Sequence, residues 1–347
     1  MFGFAMLLAV AGGTLSRAGA DPSVERFLTG MYETRALGLI TGRQVDTLAQ
    51  FYDTSVQGGR FALAHEEGRI QYMQAWAQAR DLAVVEAETF VTNLKVKSDG
   101  DRATVSLIAR TRLGYRYNGK ADLNQMGVGS WHWLQLVRSG DTWKVQKEFY
   151  LDAMGSEWTE PYKAETKRSS PLVDEAIPVS RGRLDRQGVV SYAEKYCGAA
   201  WGCGNNSDYN ERYQSYRNLG GDCANFASQT LVEGGKLKPD WVWRHDKAGS
   251  ACWVNAQSFV RYLLGSGRAT LLAKGIYPKV EGALARLQPG DIVGYQAKGT
   301  ITHVSVITGK DSGGVPIVAA HTADRYRNPW DLGWDKNTVY VLLHLRD

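Results

Sequence analysis

Apolar positions in the first half of the chain recur at helical spacing and then at strand spacing. Phe27, Met31, Tyr32 and Ala36 fall on one helical stripe, residues 45–52 continue the pattern, and Ile70, Met73, Trp76 and Ala77 repeat it. Beyond them the period drops to two in 90–96, 102–112, 131–137 and 143–150, with Asp99-Gly100 and Gly140-Asp141 as hairpin turns. Helices followed by paired strands predict an α+β layer in which helices pack on one curved antiparallel sheet. This unit spans 21–154 and shows no catalytic constellation. His132, between Trp131 and Trp133, reads as structural or surface, as do His65, His245 and His344.

Residues 155–183 carry Pro161, Pro171 and Pro178 with Lys167-Arg168-Ser169-Ser170, which reads as a linker. A second unit then runs from 184 to 347. Val189, Val190, Ala193 and Tyr196 mark a helix, and an aromatic, Gly- and Asn-rich loop over 201–219 follows. Next comes GGDCANFASQ, residues 220–229. Gly220 and Gly221 permit a sharp turn, Asp222 is a favoured N-cap, and Phe226, Ala227, Thr230 and Leu231 form an apolar stripe ended by Gly234-Gly235. Cys223 is thereby expected on the first turn of a helix. Backbone amides there favour a thiolate over a thiol, whose ordinary pKa is about 8.5. Isolated free cysteines are more often packing residues, so the nucleophile reading needs a partner elsewhere.

The partner candidates lie in two later segments. Residues 287–293 form a turn into a strand, and in the next strand His303, Ser305 and Ile307 share a face. After Asp311-Ser312-Gly313-Gly314 a further strand sets Ile317, Ala319 and His321 on one face. A hairpin symmetric about Ser312 would place His303 opposite His321, and a slip of one residue would undo that. The expected set is Cys223 as nucleophile, His303 as general base and His321 as the residue orienting His303. Gly221 and Asp222 support the turn. Among Tyr209, Tyr213 and Tyr216 one hydroxyl could line the cleft, with Tyr216 the favoured candidate. Asp324 could edge the site, or pair with Arg325 in the loop.

Composition narrows the picture. The 347 residues are 44% hydrophobic, 22% charged and 11% aromatic, and a length prior of roughly 150 residues per domain suggests about two domains. A net charge of +5 comes from scattered Lys and Arg, which argues against a nucleic-acid footprint and suits an anionic polymer such as a bacterial wall. Residues 1–20 hold an apolar run followed by Ala18-Gly19-Ala20, read as a secretory signal, and no segment reads as membrane-spanning. The expected location is secreted or envelope-associated. Of four cysteines, Cys197, Cys203 and Cys252 are candidates for one disulfide. Without a C-x-x-C or H-E-x-x-H pair, neither a metal nor any other cofactor is expected.

The motifs resemble known families. The first unit is similar to the cone-shaped domains of the nuclear-transport-factor and SnoaL-like group. From 184 onward GGDCANFASQ, Glu233-Gly234-Gly235, Trp253 and Phe259 in WVNAQSFVRYL, LQPGDIVGY, THVSVITG and AAHTAD together resemble the amidase group of papain-fold cysteine hydrolases, relatives of NlpC-type cell-wall peptidases and CHAP amidases. That resemblance implies a papain-like α+β domain with Cys223, His303 and His321 in the roles above. Ala224-Asn225 stands where the better-studied peptidases commonly have Ser-Gly. The function expected is a cysteine amidase or peptidase acting on peptidoglycan peptides or another peptide substrate. The alternatives are an acyltransferase of transglutaminase type, a wall-binding module, or a Cys-His-His zinc site.

Overall fold

The structure, a computed structural model, describes residues 21–43, 45–154, 184–206 and 208–346. The signal and linker segments named above lie outside these residues. Helix α1 (Pro22–Thr41) starts where Asp21 accepts from the Ser23 amide and ends at Gly42, whose positive φ of 68° supplies the left-handed cap. A short α2 (Val45–Ala49) and a long α3 (Gln57–Ala79) follow. Four antiparallel strands come next: β1 (Leu82–Asp99), β2 (Arg102–Tyr117), β3 (Asn124–Ser139) and β4 (Thr142–Phe149). The expected stripes of α1 and α3 are the buried ones, with Met31, Tyr32, Met73 and Trp76 packed on this sheet.

The second half opens with α4 (Arg186–Tyr196), capped by Asp185 through the Gly188 amide. Then come α5 (Cys223–Gln229), continued by a π-helical turn to Gly234, α6 (Ala251–Val254) and α7 (Ala256–Gly265). β5 (Ala269–Gly275) and α8 (Tyr277–Val280) precede β6 (Ile292–Ala297), β7 (Thr300–Lys310), β8 (Pro316–Ala320), β9 (Asp324–Pro329) and β10 (Val339–Leu345). The fold is α+β, built on one antiparallel sheet of ten strands.

That sheet runs through both halves. Its order is β1-β2-β3-β9-β8-β7-β6-β10-β5, with β4 on the remaining edge of β3. The junction pairs Gly127, Val128 and Gly129 of β3 with Tyr326, Arg325 and Asp324 of β9. The two-domain reading expects each half to bury its own core, but the first core crosses between them. It joins Met73, Trp76 and Tyr115 to Val293, Tyr295, Trp330 and Leu342. Polar contacts cross as well: Trp76 and Arg80 donate to Asp331, and the Tyr115 and Tyr117 hydroxyls both donate to Asp311. The second core, with Val189, Phe226, Phe259, Val304, Val306 and Ala319, lies under α4, α5 and α7 on the other face of β6, β7, β8 and β10. No helix among the described residues is long and apolar enough to cross a membrane.

Candidate functional site

Strand β7 separates the two cores residue by residue. Val304 and Val306 point to the core that contains Cys223, whereas Ile307 belongs to the other. His303 alternates with Val304, pairs with Tyr295 across β6, and packs its ring 5.6 Å from Tyr295 and from Trp334. His303 and the Cys223 sulfur are therefore on opposite faces of the sheet.

The cause is register. The β7–β8 hairpin pairs Lys310 with Pro316 and Gly309 with Ile317, then skips Thr308 so that Ile307 meets Val318 and Val306 meets Ala319. Continued two residues further, this pairing sets His321 across from Val304 rather than His303. The expected symmetry about Ser312 is off by one residue, and one residue reverses the face. The structure thus does not bring His303 to Cys223 or to His321. His303 is buried, its Nε2 has no hydrogen-bond partner among the described residues, and burial with the nearby Arg325 charge pushes its pKa down to about 3.

Cys223 and His321 do share a face. Gly220 and Gly221, at φ 109° and 130°, turn the chain into α5, whose first residue is Cys223. Asp222 makes no side-chain cap on that helix, contrary to expectation. Its Oδ1 accepts from the Tyr216 amide at 2.6 Å and from Asn225 Nδ2 at 3.0 Å, and its Oδ2 takes His321 Nδ1 at 2.6 Å. The other nitrogen of His321, Nε2, lies 2.6 Å from the Tyr196 carbonyl. Carboxylate and carbonyl both only accept, so both ring nitrogens carry protons and His321 is an imidazolium. Burial works against this charge, but the hydrogen bond and charge of Asp222 outweigh it and hold the pKa above 6.5. The ring is clamped between Tyr209, 3.6 Å away and parallel within 8°, and Phe226 at 4.1 Å.

Cys223 is itself buried. Backbone N–H groups of Val304 and Ala224 favour its thiolate, yet burial dominates and pushes the thiol up to about 11. The helix start does not lower it. In this arrangement sulfur keeps its proton.

The other expected residues fall around this centre. The Tyr216 hydroxyl accepts from the Gly249 amide, which leaves its own proton to donate, whereas the Tyr213 hydroxyl donates to Glu233. Tyr209 donates to Asp324 at 2.7 Å, and Asp324 also accepts from the Ala199 amide at 2.6 Å. Burial raises Asp324 to about 6. Arg325 does not pair with it, donating instead to the Leu332 and Ala153 carbonyls. Asn225, in the dipeptide that departs from the cell-wall peptidases, accepts from Trp253 Nε1 at 2.9 Å. All four cysteines are free thiols: Cys197 donates to the Glu194 carbonyl, Cys203 donates to the Lys195 carbonyl, and Cys252 is half-buried. The described residues hold no group of three metal-ligating side chains.

The first half of the chain reaches this site, which sequence reasoning missed. Arg217 stacks 3.6 Å over Trp131, and Trp131 meets Tyr209 edge-on. Arg110 donates to the Ala199 and Ala200 carbonyls. A Cβ on Gly127 or Gly129 would sit about 2 Å from the backbone of Trp201 or Ala199. A Gly-x-Gly inside a strand was the available signal, since it marks close approach of another backbone.

Residues 183–343 match a family model described as "Putative amidase domain". This matched segment holds Asp222, Cys223, His303 and His321. A curated relative, the uncharacterized protein YhbB of Bacillus subtilis (strain 168), is 32% identical over 168 residues, covering 46% of this chain and 47% of the relative. The chain thus spans about half the length of that relative. Among solved structures, one described as a putative dehydratase from the NTF2-like family of Streptomyces avermitilis is 17% identical over 37% of this chain and 93% of its own, with a TM-score of 0.29. The intermembrane space region of the chloroplast protein ARC6 is 13% identical over 39% of this chain and 98% of its own, with a TM-score of 0.28.

Proposed function

We propose that the second half of this chain is a papain-like cysteine amidase or peptidase in which Cys223 is the nucleophile and His321, paired with Asp222, is its acid–base partner. The observation that carries this reading is the buried Asp222–His321 pair beside Cys223, within the segment that matches the amidase model. As described, the site is at rest, with a protonated thiol and an imidazolium. When His321 loses its Nε2 proton, the lone pair faces the Tyr196 carbonyl, which is repulsive. The freed Nε2 lone pair is then the base for the Cys223 thiol, while Nδ1–H stays on Asp222.

Acyl transfer then follows the nucleophile–base scheme. Sulfur attacks the amide carbon while its proton passes to His321, His321 returns the proton to the leaving amine, and water releases the acyl group. The substrate proposed is an amide in bacterial wall peptides, with the protein acting outside the cytoplasmic membrane. The basic net charge and the signal-like residues 1–20 support this. Bacterial sacculi incubated with the protein should release new amino groups, read by mass spectrometry, and the Cys223→Ala variant should release none. Intact sacculi alongside a cleaved unrelated peptide would remove the wall substrate. Release unchanged in Cys223→Ala would remove the nucleophile.

A further inference from the structure

The four strands of the first half present different chemistry on their two faces. His132 and Leu134 of β3 face the helices, where the buried His132 ring lies 2.8 Å from both Ser130 Oγ and Glu148 Oε1. Trp131 and Trp133 alternate with them and so point out of the opposite face. Pairing across the strands sets Ile108 beside Trp131 and, one row on, Lys95 and Ser106 beside Trp133 and Phe149. The next row adds Lys97 and Lys147, and the Lys147 ammonium lies 5.7 Å over the Trp133 ring.

Phe149 is 64% exposed and Trp133 36%, around a groove of about 570 Å³ that Ile108 also lines. The same strands bury Leu107 and Leu136 on their other face, so large rings stay in water here beside a side that is fully packed. Exposed aromatic groups gathered in one patch mark a binding surface. Lysines that are scattered along the sequence are collected by strand alternation: these rows hold Lys95, Lys97 and Lys147 and no carboxylate, which puts the rings in a positive field. The groove also leads to the catalytic centre. Trp131 lines it, Tyr209 meets Trp131 edge-on at 6.0 Å, and Tyr209 stacks 3.6 Å from His321. Gly129, on this same outer face, packs against the Ala199 backbone, so the sheet does not come between the groove and Tyr209.

We propose that this outer face docks the glycan strand of the substrate polymer and holds it while an attached peptide reaches Cys223. The inference rests on the wall substrate proposed above. A sugar ring has an apolar C–H face and a polar rim. The C–H face suits the electron-rich faces of Trp133 and Phe149, the rim suits Ser106 and Asn93, and carboxylates of the attached peptides suit the three lysines. Single-stranded nucleic acid and anionic lipid share the affinity for rings and lysines but bring no amide to the sulfur, and two copies of this basic face repel each other.

The test uses the full chain carrying Cys223→Ala, which binds without cutting, and purified bacterial sacculi. Co-sedimentation should show saturable binding that weakens about 10-fold in Trp133→Ala, the size expected for one lost stacking partner. Lys95→Glu combined with Lys147→Glu should weaken it about as much and flatten its salt dependence. With Cys223 restored, these variants should cut a short soluble peptide amide at the parental rate but release amines from sacculi more slowly, a split that unfolding would not produce. Binding that weakens as expected in a protein releasing no amine would uphold the surface and sink only the catalytic reading. Sacculi binding unchanged in both variants, equal retention by a thymidine oligonucleotide or by phosphatidylglycerol vesicles, or a dimer that Trp133→Ala dissolves would overturn the proposal.

Discussion

His321 and His132 are built alike and differ in one atom's partner. Each ring is buried, flanked by aromatic rings and held at Nδ1 by a carboxylate. At Nε2 His321 meets a carbonyl, which cannot donate, and His132 meets a hydroxyl, which can. The first ring must carry two protons and the second needs only one. Burial lowers the pKa of both; at His321 the hydrogen bond and charge of Asp222 outweigh it and the net shift is up, whereas at His132 burial wins and the shift is down. What a buried histidine can do is thus decided at its second nitrogen, and a carboxylate neighbour alone does not reveal it.

The strongest way to break this comparison is to remove the nucleophile assigned to His321. Cys223→Ala should lower amide hydrolysis by about 10⁴-fold or more. Hydrolysis undiminished in that variant would remove the nucleophile from the account.

The next effect is on the ion pair. Asp222→Asn leaves a buried imidazolium without its counter-charge and should cost about 3–5 kcal/mol at pH 6, measured by urea unfolding. A raised pKa contributes stability that is present below 6.5 and lost as pH climbs through the folded value. The variant and the parent should therefore converge at higher pH. A constant gap would show that the loss is one of packing, not charge.

Asp324 gives a smaller signal with the same sign. Its carboxyl, at about 6 when folded against 3.8 ordinarily, makes stability fall between pH 4 and 6 by about 1.4 kcal/mol per unit. Asp324→Asn should flatten that stretch of the unfolding curve. Smaller still, Gly129→Ala would press a methyl against the Ala199 backbone, 2.2 Å away, and should destabilise by about 1–3 kcal/mol. If loop 197–205 positions the Tyr196 carbonyl, the same change should alter the His321 titration while His132 keeps its own.

Much of this was legible in the sequence and some was not, for reasons of register. The helical stripes of Phe27, Met31, Ile70 and Trp76, the four strands after them and Cys223 at a helix start all follow from periodicity and turn residues. His303 and His321 were misplaced because the bulge at Thr308 shifts the pairing by one, and no local signal announces it. Asp222 was read as a cap because short-range rules favour that role, whereas its long-range partner lies 99 residues away. Ser130, His132 and Glu148 were within reach of the Gly140-Asp141 hairpin. Its place between two tryptophans made His132 read as a structural or surface residue.

The central claim, that His321 and not His303 serves Cys223, is tested most directly by the pH dependence of Cys223 alkylation with iodoacetamide, resolved by peptide. The parent protein should show a rise as His321 gives up its proton, the His321→Gln variant should lose that rise, and His303→Gln should keep it. A rise that survives in His321→Gln and disappears in His303→Gln would contradict the account.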